Sequence, residues 1–274
     1  MPTQRRCQPW LGTLVDIRAK FDHVCMANAA MGAAFDAIRR VHMLMSPREA
    51  GGDIARINRS SAGTPVCVHH WTAAVLGAAM AFERETEGAL SVSIAAPTRK
   101  GEMLRRGEGG FRIDGNQVTL RGGAYLDLGG IAKGYAVDRA VDALVAGGAQ
   151  SGCVNAGGDL RFFGDMFQSF CIRHPDAPER LVPVATLRNA AAATSYFGMR
   201  AEHLAPGGLV DGRSGQSELR GLVTVLAPDC MTADALTKVA GLLGSDSDDL
   251  LAAYGAEALW WPAPASADAL EAAA

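Results

Sequence analysis

The sequence predicts an α+β fold, in which helices pack against antiparallel sheets. Two observations carry this prediction. Segments with helical periodicity are interspersed with short strands, and Asp114-Gly115-Asn116 separates two apolar stretches in the manner of a β-hairpin. A mixture of hairpins and helices argues against a doubly wound parallel sheet. We expect one domain over residues 1–261 and a frayed Ala/Pro-rich tail over 262–274.

The first elements follow from hydrophobic periodicity. Alternation of apolar and polar residues predicts a strand over 13–18. A helix ending near Ser46-Pro47 and a second one stopped by Gly88 are predicted from helical spacing. Their apolar residues are Met31, Phe35, Ile38, Val41 and Met45 in the first, and Trp71, Val75, Ala78 and Phe82 in the second.

The second half of the chain begins with a predicted strand end, a Gly-Gly turn and a helix over 127–145. A further helix is predicted over 232–243, directly after a short strand. The predicted strands of this half cover 153–163, 167–173, 182–187, 222–227 and 257–261.

Composition excludes several classes of protein. The formal net charge of −3 provides no basic field, so we expect no nucleic-acid partner. No apolar run reaches the roughly 18 residues that span a membrane. The six cysteines include no C-x-x-C pair, and the N-terminus lacks the apolar stretch of a signal peptide. We therefore expect a cytoplasmic protein as written, or a periplasmic one if a leader was trimmed.

The densest motif lies at the start of the predicted helix over 127–145. Gly129 and Gly130 precede it, and Lys133 falls in its first turn. A helix N-terminus presents unpaired N–H groups and a positive dipole, and a lysine there adds a charge suited to phosphate. An ordinary strand-to-helix turn with a surface lysine explains the residues equally well. Only four of the 26 basic residues are lysines, so a lysine within this motif is unusual for the chain.

The run 127–138 resembles the signature of the ApbE family, the FAD:protein FMN transferases. Similar motifs follow the family order along the chain: Leu11-Gly12-Thr13, 53–58, Asn155-Ala156-Gly157-Gly158-Asp159, Ala193-Thr194-Ser195, 210–215 and Thr232-Ala233-Asp234-Ala235-Leu236. The resemblance implies a T-fold-like ApbE architecture. It also implies transfer of the FMN part of FAD to a Ser or Thr hydroxyl in a loop of an acceptor protein, with release of AMP.

The resemblance further implies roles for individual residues. The backbone carbonyl of Ala132 and the carboxylate of Asp234 would bind Mg²⁺, a cation that prefers oxygen ligands. FAD, the substrate, would be held by ten residues: Thr13, Asn58, Gly129, Gly130, Lys133, Asp138, Gly157, Gly158, Thr194 and Ser195.

One departure from the family pattern concerns the metal. The family places a threonine four residues after the metal-binding aspartate, whereas this chain has Lys238 there and Thr237 one residue earlier. One residue turns a helix by about 100°, so we expect Thr237 to miss the same point. Three interpretations stay open. The Lys238 ammonium partly replaces the metal, the metal is retained, or Lys238 and Asp234 form a surface pair worth about 0.3–0.5 kcal/mol.

A second departure concerns the proton acceptor. Many family members carry a histidine just before the motif that corresponds to 210–215, but the nearest one here is His203. A glycine-rich loop could return His203 to the site, and otherwise Asp211 is the better acid/base candidate. These departures keep two alternatives to the transferase open: a non-catalytic flavin-binding protein, and an FAD pyrophosphatase that produces FMN and AMP.

Overall fold

The computed structural model describes residues 2–95, 110–174, 177–197, 211–213 and 221–261. The helices of this part are α1 (Val24–Met45), α2 (Asp53–Arg59), α3 (His70–Glu85), α4 (Ala132–Ala146), α5 (Cys230–Leu243) and α6 (Asp248–Ala253), with a short 3-10 helix at Gly244–Ser247. The strands are β1 (Thr3–Trp10), β2 (Thr13–Phe21), β3 (Pro65–Cys67), β4 (Ser93–Ala95), β5 (Phe111–Asp114), β6 (Gln117–Leu120), β7 (Ala124–Leu126), β8 (Ala149–Ala156), β9 (Asp159–Gly164), β10 (Gln168–His174), β11 (Ala177–Leu187), β12 (Ala191–Phe197), β13 (Gly221–Ala227) and β14 (Glu257–Trp261).

A seven-stranded sheet organises these elements, with the strand order β1-β2-β8-β9-β12-β13-β14. Every neighbouring pair in it is antiparallel. Helices α1, α4 and α5 lie on one face, where their buried side chains form a core with the sheet. The predicted α+β class, with antiparallel sheets and packed helices, is therefore confirmed.

The β10–β11 hairpin covers the opposite face of the large sheet. Its Phe170 and Ile172 pack in one cluster with Leu160 of β9 and Ala192 of β12. Ala191 and Ala193, the neighbours of Ala192, belong instead to the core on the helical side. This alternation follows from the two-residue period of a strand, and it decides which side chains of β9 and β12 can reach the helices.

Most predicted elements are found, with shifted ends. The hairpin at Asp114 is present, since Asp114 pairs with Gln117 and Gly115 adopts a positive φ of 55°. The single strand predicted over 153–163 is wrong: β8 and β9 are two strands, joined by a tight turn. Sequence periodicity also missed β1 and β12, whose residues lack a simple alternation.

No helix among the described residues is long and apolar enough to cross a membrane. The predicted tail over 262–274 lies outside the described residues, so the predicted domain boundary at 261 stays a prediction.

Candidate active site

Helix α4 begins immediately after a turn built by its own motif. The side-chain Oδ1 of Asp127 accepts a hydrogen bond from the Gly129 amide at 2.8 Å, and the Leu128 carbonyl accepts from the Ile131 and Ala132 amides at 3.0 and 2.9 Å. These contacts form the predicted turn between β7 and α4. They place Lys133 in the first turn of the helix.

Four charged residues meet beside this helix start. Lys133 of α4 donates a hydrogen bond to Oδ2 of Asp159 at the beginning of β9, and Lys238 of α5 donates to Oδ1 of Asp234. We call Lys133, Asp159, Asp234 and Lys238 the lysine–aspartate cluster. Both aspartates are buried, with 1% and 0% exposure, and Lys238 is 9% exposed. Water therefore screens the charges of the two carboxylates and of Lys238 weakly, whereas the Lys133 side chain is partly exposed.

Each oxygen of the Asp234 carboxylate accepts a hydrogen bond from this chain. Its Oδ2 accepts from the Gly134 amide at 3.0 Å, and its Oδ1 accepts from Lys238, which also donates to the Asp234 backbone carbonyl at 2.9 Å. The interpretation of Asp234 and Lys238 as a surface pair is wrong, because both side chains lie inside the fold. Burial alone would raise the pKa of Asp234, but Lys238 and Lys133 outweigh it and lower this pKa.

Thr237 does miss the position that Lys238 occupies. Its hydroxyl donates to the Asp234 carbonyl at 2.8 Å and forms a 2.7 Å hydrogen bond with the Ser195 hydroxyl. Ser195 therefore lies on the helical side of β12, next to the lysine–aspartate cluster. Its neighbour Thr194 pairs instead with Thr224 of β13 at 3.0 Å, and the alternation of the strand places these two on the other face. Of the two residues predicted to bind FAD here, Ser195 therefore faces the helices and Thr194 faces away from them.

Asp159 follows a turn in which both glycines are needed. Gly157 and Gly158 have φ values of +70° and +105°, and the Gly158 amide donates to Asn155 Oδ1 at 3.0 Å. A Cβ atom on Gly157 would lie 2.4 Å from the hydroxyl of Thr13. Three motifs that are distant in sequence thus converge here: the one at Thr13, the Gly157–Asp159 turn and the start of α4.

Gly130 is also brought to the cluster. A Cβ atom there would contact the Lys238 side chain at 3.6 Å. This distance is ordinary van der Waals contact and the φ of Gly130 is not among the positive ones, so neither crowding nor an unusual backbone conformation requires a glycine here.

Two residues predicted to bind flavin have partners within the protein, and their contact with flavin stays a prediction. Asn58 of α2 bonds to both backbone polar groups of Leu126, at 2.9 and 2.7 Å, and so fixes β7 just before the motif. Asp138 is buried in α4, where its oxygens accept from the Cys230 and Met231 amides at 2.9 and 2.8 Å. Arg161 completes this contact at 2.8 Å, so Asp138 holds the N-terminus of α5 against α4.

The candidate acid/base residues are His203 and Asp211. His203 lies outside the described residues. Asp211 accepts hydrogen bonds from the Arg213 amide and from its guanidinium, both at 2.7 Å, and the next amide, of Gly212, donates to Ala89 at 2.9 Å. Asp211 is thereby anchored beside the loop that follows α3.

Asp159 is the residue of the site that sequence reasoning did not select. Burial, with the charge of Asp234, raises the pKa of Asp159 to about 6, although Lys133 and Lys238 oppose this shift. For Lys133, burial favours the neutral form, but Asp234 and Asp159 outweigh it and raise its pKa. The position of Asp159 directly after the Gly-Gly turn was the signal that could have identified it.

Comparison with known proteins identifies the family of this chain. The ApbE family model matches residues 11–260, and the chain belongs to that family. An FAD:protein FMN transferase of Vibrio cholerae serotype O1 is 28% identical over 244 residues, which cover 76% of this chain and 72% of the relative. A protein of the same name from Treponema pallidum is 25% identical over 288 residues, with 87% and 78% coverage.

Solved structures share the fold. The flavin transferase ApbE from Vibrio cholerae superposes with a TM-score of 0.76 at 22% identity, covering 94% of this chain and 93% of that one. The apo form of Pseudomonas stutzeri flavinyl transferase ApbE gives a TM-score of 0.76 at 19% identity, with 97% and 92% coverage. At these identities the similarity establishes the architecture, and the residues of the site carry the chemistry.

Proposed function

We propose that this protein is an FAD:protein FMN transferase, which moves the FMN moiety of FAD to a Ser or Thr hydroxyl of an acceptor protein. The lysine–aspartate cluster carries the proposal, because two ammonium groups, the buried one of Lys238 and the partly exposed one of Lys133, lie beside the helix start of the family motif. The names of the relatives support the same activity. The acceptor must present its hydroxyl on an accessible loop.

The reaction is a phosphoryl transfer. The acceptor oxygen forms a bond to the FMN phosphorus, the bond from that phosphorus to the bridging oxygen breaks, and AMP leaves with the electron pair. The proton of the acceptor hydroxyl is released. Such a step needs in-line placement of the hydroxyl and neutralisation of charge on the phosphate oxygens.

In our proposal the chain supplies this neutralisation from three directions. The first turn of α4 presents the Lys133 ammonium. The Gly157-Gly158 turn lets backbone approach the ligand closely, next to Thr13. Lys238 provides the second ammonium group, between Gly130 and Asp234. Ser195 and Thr237 add a pair of hydroxyls on the same side of the sheet.

The oxygen atoms of Asp234 are not arranged as ligands for Mg²⁺. Both carboxylate oxygens already accept from N–H donors, namely Lys238 and the Gly134 amide. Magnesium requires several free oxygen ligands in near-octahedral geometry. Among the described residues, no group of three His, Cys, Asp or Glu side chains is placed to hold a metal. We therefore propose that the Lys238 ammonium takes the place of the metal expected at Ala132 and Asp234.

Asp211 is the proton acceptor in this proposal. Arg213 holds its carboxylate beside the loop that follows α3, and these contacts fix the orientation of the carboxylate. His203 is the alternative, and replacing each residue separately with alanine distinguishes them. Replacement of the residue that takes the proton should lower kcat for transfer and should have little effect on FAD affinity.

The activity is tested with FAD and a threonine-containing FMN-acceptor domain. We expect the acceptor to gain the mass of one FMN moiety, with one AMP released for each acceptor modified. An acceptor whose threonine is replaced by alanine is the matched control and should gain no mass. AMP without acceptor modification would indicate an FAD pyrophosphatase, and bound FAD without either product would indicate a flavin-binding protein. Either result would overturn the proposal.

A further inference from the structure

Asp159 combines burial with incomplete hydrogen bonding. Its Oδ2 accepts from Lys133, whereas its Oδ1 is buried and has no hydrogen-bond partner among the residues that the structure describes. A buried carboxylate oxygen without a partner costs stability. An apolar residue would remove that unpartnered atom, so stability of the fold does not account for an aspartate here.

The strand holds Asp159 more firmly than the helix holds Lys133. Asp159 pairs with Ala156 across the β8–β9 turn, and the Gly158 amide before it is fixed by Asn155. The Lys133 side chain is 33% exposed and has four rotatable methylene groups, so its ammonium has other positions available in solvent. The carboxylate therefore decides where the ammonium lies.

The remaining charges around the pair come from α5. Asp234 and Lys238 act on Asp159 through space, with opposite signs, and Lys133 is the cation in direct contact with it. Lys238 already has Asp234 as its own carboxylate partner. Loss of the Asp159 charge would thus leave Lys133 without the carboxylate that holds it in place.

We propose that Asp159 is a positioning residue that holds the Lys133 ammonium against the phosphate groups of the ligand. This inference rests on the proposed function, because it assigns the ligand as the pyrophosphate of FAD. Asp159 acts through Lys133 and makes no bond to the reacting atoms. Its contribution is the orientation of a charge before the ligand arrives, which avoids the cost of ordering a flexible side chain during the reaction.

A double-mutant cycle tests the inference. The variants are Asp159→Asn, Lys133→Met, the double variant and Asp159→Glu, with FAD affinity measured by flavin fluorescence and kcat and KM measured for transfer. We expect Asp159→Asn to lower kcat/KM about ten- to hundredfold, as for loss of a hydrogen bond between charged groups. In the Lys133→Met background the same change should alter kcat/KM less than about twofold.

Two controls separate positioning from a structural role. Asp159→Glu keeps the charge and should recover part of the lost kcat/KM, whereas Asp165→Asn removes the exposed partner of Arg188 and should change nothing. Thermal unfolding verifies that each variant is folded. Independent effects of Asp159→Asn and Lys133→Met, or no recovery in a folded Asp159→Glu, would overturn the inference.

The FAD-affinity cycle keeps the two proposals distinguishable. If the wild-type protein binds FAD but modifies no acceptor, the proposed function fails, while non-additive effects on affinity still support the role of Asp159. If transfer occurs and the affinity and kinetic cycles are both additive, only the inference about Asp159 fails.

Discussion

The Lys238 ammonium donates to the backbone carbonyl of Asp234 at 2.9 Å and to Oδ1 of the same residue, one turn earlier in α5. Asp234 has no solvent exposure, so its charge depends on partners inside the protein. Removing one member of a buried pair leaves the other charge uncompensated, which costs far more than loss of a surface pair. Lys238 is therefore both a structural partner of Asp234 and the candidate cation of the site.

Chelation of metal should leave the activity of the wild-type protein nearly unchanged. Because an ammonium occupies the carboxylate, we expect EDTA to change the initial rate of FMN transfer less than about twofold. Abolition of transfer by EDTA, with recovery on adding MgCl₂, would show that a metal is required after all.

Lys238→Thr should create a dependence on divalent cations. The substitution frees Oδ1 of Asp234 and adds a hydroxyl oxygen one turn away, and oxygen is the ligand type that Mg²⁺ prefers. We expect transfer to fall at least about tenfold without metal and to recover in part with MgCl₂. Lys238→Met serves as the control, because it frees the same oxygen without supplying a new ligand and should recover less.

Ionisation of Asp159 should lower the free energy of unfolding as the pH rises. The pKa of Asp159 is raised to about 6 by burial and by Asp234, so the folded state binds this proton more tightly than the unfolded state. Wild-type protein should therefore lose free energy of unfolding relative to Asp159→Asn between about pH 4 and pH 6, on the order of 1–3 kcal/mol. Above about pH 6 the difference should stay constant.

Urea unfolding of both proteins from pH 4 to pH 8 provides the measurement. The comparison between variants cancels the titration of groups that the substitution leaves alone. A wild-type protein that gains stability over Asp159→Asn as the pH rises would contradict the assignment.

Asp138→Ala should destabilise the fold by about 2–4 kcal/mol, because it leaves the Cys230 and Met231 amides and Arg161 without their shared acceptor. Asp142→Ala, on the exposed side of the same helix, is the matched control and should cost less than about 0.5 kcal/mol. Denaturant unfolding measures both. Unchanged stability together with weaker FAD binding would instead support the direct flavin contact predicted from sequence.

Gly134→Ala should force α4 and α5 apart. The added Cβ would lie 2.2 Å from the Cys230 carbonyl oxygen and 2.8 Å from Cβ of Asp234, and backbone cannot move aside cheaply. We expect a loss of about 1–3 kcal/mol in the free energy of unfolding, together with reduced FAD affinity. Gly77→Ala in α3, where the added Cβ meets open space, should instead stabilise by about 0.5–1 kcal/mol. Equal effects of the two substitutions would contradict the close packing of α4 on α5.

Hydrophobic periodicity predicted the bounds of helices and strands well where the periodicity is strong. Helix α5 begins two residues before its predicted start and ends at the predicted residue, and β14 matches its prediction. Strand β12 escaped prediction because its alanines face both sides of the sheet and show no alternation. Its register decides that Ser195, and not Thr194, faces Thr237.

The sequence by itself determined the family motif, the helix start at Lys133 and the unusual Lys238 in place of threonine. Only the tertiary structure decided which carboxylate each lysine meets. Lys238 and Asp234 are one turn apart, but their burial depends on the packing of α5 against α4, which chain spacing does not encode. Lys133 and Asp159 are 26 residues apart and meet because β9 lies beside the start of α4. The energy of an ion pair depends on how far it is shielded from water. That shielding arises from packing between elements distant in sequence.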